Sequence, residues 1–124
     1  LAAVHRDALT IFIVEDEPLL RACSVEFFQD EGFRVLEADS GEAAVQWIER
    51  NTKIDVVFTD ITLRGQLNGW DVAEAFRAKN SGLAIIYASG YLTLPPRIVD
   101  GGLFFTKPYD YEKVLQACYK LTSA

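Results

Sequence analysis

The sequence predicts a single α/β domain over residues 1–124, a doubly wound, five-stranded parallel sheet with helices on both faces. Three observations carry that expectation. The hydrophobic period switches back and forth between strand-like runs and helix-like repeats. Residues 54–59 (IDVVFT) are apolar almost throughout, as a strand buried on both faces requires. The 124 residues contain no internal repeat or linker, and that length suits one domain with a core of its own.

The elements follow in order. Residues 10–14 form a short apolar, β-branched run that ends at Glu15, Asp16 and Glu17. Pro18 suits the first turn of a helix, where its missing N–H costs nothing, and Leu20, Cys23 and Phe27 then repeat at helical spacing until Gly32. Residues 33–38 read as a second strand. Ser40 is an N-cap for a helix with Ala43, Ala44, Trp47 and Ile48 on one face. After the third strand, Asn68 and Gly69 open a helix that turns Val72, Ala73 and Phe76 inward and ends near Ser81 and Gly82. Residues 83–88 and 103–106 are the fourth and fifth strands. Residues 110–121 form a last helix with Val114, Cys118 and Leu121 inward. Between Gly90 and Gly102, Pro95 and Pro96 bar any helix that starts before about residue 95, and Gly101 and Gly102 end it after little more than one turn. With only Ile98 and Val99 to pack, this segment is expected to be short or irregular, the least stable part of the domain and the most responsive.

Composition narrows the function classes. Twelve Lys and Arg against eighteen Asp and Glu give a net charge of −6, which argues against direct nucleic-acid binding. The apolar stretch over residues 9–14 is too short to span a membrane or to serve as a signal sequence. Cys23 and Cys118 are far apart without metal-ligand spacing, so a reduced, cytoplasmic protein is expected. No methionine occurs, even at position 1, so the chain reads as trimmed or as a piece of something longer. The one histidine, His5, reads as a surface residue in a frayed terminus.

In open parallel sheets, ligands sit beyond the carboxyl ends of the strands, at the switch in strand order. Those ends carry Glu15 and Asp16, Asp60, Ser89 and Lys107. Taken singly, each has a plain structural reading: a solvated acidic turn before a helix, a turn residue, a Ser-Gly turn, a lysine snorkelling to water. Together they supply the parts of one reaction, phosphoryl transfer onto a carboxylate. Crowded carboxylates repel unless a divalent cation lies between them, and an all-oxygen set suits Mg²⁺. The metal would neutralise charge on the transferring group, while the ammonium and the hydroxyl bond its other oxygens. An ionised carboxylate needs no general base.

These motifs resemble those of the receiver domains of two-component response regulators, whose fold is CheY-like. The resemblance covers about residues 9–122 and rests on IVEDEP, VVFTDITL, IIYASGY and FFTKPY. It implies that Asp60 is the phosphoacceptor and that Glu15, Asp16, Asp60 and the backbone carbonyl of Thr62 bind Mg²⁺. It further implies that Ser89 is the switch hydroxyl, Lys107 the phosphate-binding ammonium, Lys107–Pro108 a cis peptide and Phe104 the aromatic switch. The implied donor is a histidine kinase or phosphotransfer protein. The implied reader is a downstream protein or an output domain outside this chain. No other cofactor is implied.

Two departures stand out. Receivers usually carry proline four residues after the phosphoacceptor, where this chain has Arg64 followed by GQLNG. That puts the usual geometry of the loop over residues 61–69 in question. The stretch from Ser89 to Lys107 is also a few residues short and contains Pro95 and Pro96; the YASGY…LPP…KPY pattern is similar to a stand-alone alphaproteobacterial subgroup with an FATGY-like motif. Three competing readings remain. A haloacid-dehalogenase-type phosphatase needs a second carboxylate at position 62, which is threonine. A never-phosphorylated pseudo-receiver sits poorly with the intact acidic pair, Asp60, Ser89 and Lys107. A flavodoxin-like cofactor site lacks a phosphate loop after the first strand.

Overall fold

The computed structural model describes residues 8–90 and 96–123. The expectation for His5 lies outside them. The chain runs β1 (Thr10–Val14), α1 (Pro18–Asp30), β2 (Arg34–Ala38), α2 (Gly41–Val45) continuing as a 3₁₀ turn (Gln46–Arg50), β3 (Val56–Asp60), α3 (Gly69–Lys79), β4 (Ala84–Ser89), β5 (Leu103–Thr106) and α4 (Tyr111–Thr122). All strand pairs are parallel, in the order β2-β1-β3-β4-β5. The order reverses at β1, so the switch point lies between the carboxyl ends of β1 and β3.

Alternation along the strands divides the core in two. Ile11, Ile13, Val56, Phe58, Ala84 and Ile86 face α1 and α4. Phe12, Val14, Val57, Ile85 and Tyr87 face α2 and α3. Period-two side chains on strands covered on both faces require this division. Phe28 anchors α1, fully buried with ring centroids 5.2 Å from Phe33 and 6.4 Å from Phe58. Burial of such a side chain contributes roughly 1.5–3 kcal/mol.

The helix starts follow local chemistry. Pro18 opens α1 at its first turn, with no side-chain cap. The Ser40 hydroxyl accepts from the Ala43 N–H at 3.0 Å. Asn68 and Asp71 form a reciprocal capping box, and Asp110 accepts from the Glu112 N–H. The apolar repeat of α1 is rotated from the sequence expectation. Cys23 is exposed, whereas Ser24 and Phe28 are buried. Ser24 can point inward because its hydroxyl meets that of Tyr111 at 2.8 Å, so the buried polar group is satisfied. Both cysteines are free, and burial pushes the Cys118 thiol up to about 12.

The expected short fourth helix falls partly on residues 91–95, outside the described residues. Residues 96–102 hold no helix and end in a turn with Gly101 at φ +76°. Polar contacts add to the two apolar side chains available to this stretch. Arg97 bonds Glu74 and Asp71 of α3, and the Val99 N–H donates to the buried Tyr87 hydroxyl at 3.1 Å. Among the described residues, no helix is long and apolar enough to cross a membrane.

Candidate functional site

Glu15 and Asp16 follow β1 directly, and Asp60 ends β3, so the switch point brings all three carboxylates to one edge. Asp60 pairs in register with Ala88, and the Ile61 N–H donates to the Ala88 carbonyl at 2.9 Å. The Ser89 carbonyl next along β4 accepts from the Lys107 N–H at 2.8 Å, which carries Lys107 past the end of β5. The Lys107–Pro108 peptide is cis. The Lys107 Nζ then lies 3.0 Å from Glu15 Oε1 and 3.2 Å from Asp60 Oδ2.

Glu15 (5% exposed) and Asp60 (8%) are buried, and so is Ser89. The other Glu15 oxygen accepts from the Glu17 N–H, and the Glu15 carbonyl accepts from Arg21. Asp16 Oδ2 accepts from the Arg64 N–H at 3.0 Å, with the exposed Arg64 guanidinium 3.8 Å away. Thr62 is exposed just beyond Asp60. Phe104 is half-buried on β5, paired in register with Tyr87. The sequence-predicted residues Glu15, Asp16, Asp60 and Lys107 thus form one cluster, with Ser89 beside it.

Electrostatics show what the cluster lacks. Burial, then the charge of Glu15, push the Asp60 carboxyl up to about 6; Lys107 pulls it down and Asp16 adds a smaller upward push. Burial alone would lower the Lys107 ammonium, but its bonds to Glu15 and Asp60 outweigh that and raise it. One ammonium therefore does not balance three acids. Ligand oxygens of Glu15, Asp16 and Asp60 lie within 4.8 Å of one another. A hard, all-oxygen set this close, still short of positive charge, fits a small divalent cation.

The chain matches the response regulator receiver domain family over residues 11–118. It belongs to that family. Its role is therefore that of a receiver in two-component signalling, the phosphoacceptor domain of such systems. Among curated relatives, it is 31% identical over 108 residues to a cyclic di-GMP phosphodiesterase of Thermotoga maritima, covering 84% of this chain but 28% of that protein. Among solved structures, a response regulator receiver protein from Sinorhizobium medicae superposes with a TM-score of 0.84 at 28% identity, over 95% of this chain and 97% of that one. The response regulator TrrA of Thermotoga maritima, solved in complex with Mg²⁺-BeF, gives 0.79 at 26% identity, over 91% and 98%.

Sequence reasoning missed two residues that shape this receiver's site. A Cβ on Gly69 would lie 2.2 Å from the Asp60 carbonyl oxygen, so the start of α3 presses directly on the backbone of Asp60. Its sequence signal, a glycine after an N-cap Asn, is too common to mark a close approach. Gly69→Ala is expected to destabilise the domain by about 2–3 kcal/mol, because rigid backbone has to shift. Denaturant unfolding measures this; a variant as stable as wild type would show that the loop yields freely. The second is Glu42, whose carboxylate accepts from the N–H groups of Gln66 and Leu67.

Proposed function

We propose that Asp60 accepts a phosphoryl group from the phosphohistidine of a histidine kinase or phosphotransfer protein, with Mg²⁺ held by Glu15, Asp16, Asp60 and the Thr62 carbonyl. The observation that carries this reading is the buried strand-end Asp60, with Lys107 at 3.2 Å and two further carboxylates beside it. Asp60, pushed up to about 6, is still mostly ionised at neutral pH, so it attacks phosphorus without a general base. Mg²⁺, when bound, offsets the charge of the acids and of the transferring group.

Lys107 is already bonded to Asp60, so its ammonium is placed to follow the phosphoryl oxygens as they arrive. Ser89, at the end of the neighbouring strand, supplies the hydroxyl that closes on another oxygen. The backbone bond between Ser89 and Lys107 ties these two groups together. Phe104 lies on β5, three residues before Lys107, and pairs with Tyr87, whose hydroxyl accepts from the Val99 N–H. Closure at Ser89 and Lys107 therefore acts on the surface formed by β5 and residues 96–102. That surface is read by a downstream protein or by a covalently attached output domain, as the much longer phosphodiesterase relative suggests. Thr62 offers no carboxylate for acid–base work on an ester, so the domain acts as a switch.

Mg²⁺ itself provides a test. Binding to the folded state alone stabilises it by mass action, about 2.7 kcal/mol at a hundredfold excess over the Kd. Thermal melts of wild type are expected to rise with millimolar-scale Mg²⁺, and those of Asp16→Asn much less. Wild-type melts indifferent to Mg²⁺ would overturn the metal assignment.

A further inference from the structure

The loop between β3 and α3 lacks the proline usual after the phosphoacceptor, yet it must hold a fixed shape beside Asp16 and Asp60. Two carboxylates from outside the loop bind its backbone. Asp16 Oδ2 accepts from the Arg64 N–H at 3.0 Å, a bond that proline at this position has no N–H to make. Two residues on, Glu42 Oε2 accepts from the N–H of Gln66 at 2.9 Å and, more weakly, of Leu67 at 3.4 Å. Between these anchors Gly65 takes φ +90°, and a Cβ there would come within 2.8 Å of Glu42 Oε1. Gly41, next to Glu42, is just as close to Leu67: a Cβ would lie 2.8 Å from its carbonyl oxygen. The loop therefore lies flat on the first turn of α2, clamped by Glu42 at one end and by Asp16 at the other.

We propose that Glu42 is a positioning residue for the metal site: its clamp on Gln66 and Leu67 takes over the role of the missing proline and aligns the Arg64 N–H on Asp16. Only Gly65 separates the two anchored residues, and glycine is the most permissive link in a chain. Without the clamp, the direction of the Arg64 N–H is no longer set, and Asp16 loses the donor that orients its carboxylate. Partners that orient a metal ligand typically matter by 10–100-fold in affinity. The backbone acceptance by Glu42 also holds its own carboxyl below the usual range, so it stays an acceptor at neutral pH. This role rests on the reading of Glu15, Asp16 and Asp60 as a Mg²⁺ site.

The test is Mg²⁺ affinity of the whole domain by isothermal titration calorimetry, which needs no phosphorylation. Glu42→Ala is expected to weaken Mg²⁺ binding by about tenfold. Glu42→Gln, whose amide oxygen can replace Oε2, is expected to keep most of the affinity. If Glu42 only favours the start of α2 through its charge, Gln fails as Ala does or neither changes the Kd, and either result overturns the proposal. Should Glu42→Ala not fold, Glu42→Asp retains the charge but falls a methylene short of Gln66, and it is expected to show the same loss; wild-type affinity in that variant also overturns the proposal. A wild-type domain that binds no Mg²⁺ overturns the underlying site reading instead, and the role of Glu42 with it.

Discussion

Wild-type protein given Mg²⁺ and a small phosphodonor gains one phosphoryl group, labile to mild base, and Asp60→Asn gains none. The expected effect is close to all-or-none, because the attacking atom itself is removed. The substituted asparagine side chain would occupy the same buried volume at the end of β3 and could still meet Lys107 through its amide oxygen, so the fold should persist. Its neutral amide is no nucleophile toward phosphorus. Loss of the label to mild base or neutral hydroxylamine, which leave phosphoesters intact, identifies an acyl phosphate as opposed to a phosphoester on Ser89 or Thr62. Intact-mass measurement of both proteins before and after mild base checks it. Equal labelling of the two would remove Asp60 from the role of acceptor.

The second large effect concerns metal-free protein and pH. Burial, and next the charge of Glu15, push Asp60 from its ordinary 3.8 up to about 6 against the pull of Lys107. The folded protein thus binds this proton more tightly than the unfolded chain does. Between about pH 4 and pH 6 the folded state carries more of it, so the contribution of Asp60 to stability falls as pH rises through that window. Below it both states are protonated and the penalty vanishes; above it the penalty is complete, at about 3 kcal/mol. With Asp60 only 8% exposed, solvent screens little of this. Asp60→Asn removes the titration, so at neutral pH and in chelator it is expected to be more stable than wild type. The two proteins should converge toward pH 4. Urea unfolding across pH 4–8 measures the difference, in which the titrating groups remote from Asp60 cancel. Parallel profiles would show that the fold places no strain on the Asp60 charge.

Much of the architecture was legible because it depends on neighbours in the chain. Thr10–Val14 and Leu103–Thr106 read as strands to the residue, and the cap at Ser40 acts within three residues of itself. Glu15, Asp16, Asp60 and Lys107 stood out for a related reason: each is a charge placed where an apolar run stops. In a parallel sheet every such stop lies at the same edge, so local pattern and topology together predicted the cluster that the structure assembles.

What only the tertiary structure decided involves polar partners far apart in sequence. Periodicity requires that helices cover both faces, but it does not say that α1 shares one with α4. It counts a serine as outward, and Ser24 turns inward because Tyr111, 87 residues on, meets its hydroxyl. Nothing near Glu42 marks it as a clamp, since Gln66 and Leu67 reach it only once α2 and α3 pack side by side. Likewise Arg97 and Tyr87 pin a segment that looked nearly unsupported, through bonds that exist only after β4 and α3 are in place. Apolar burial follows largely from each residue and its spacing, so sequence alone determined most of it, Cys23 on α1 excepted. Satisfaction of a buried or strained polar group is a property of a pair, and only the fold decides which pairs meet.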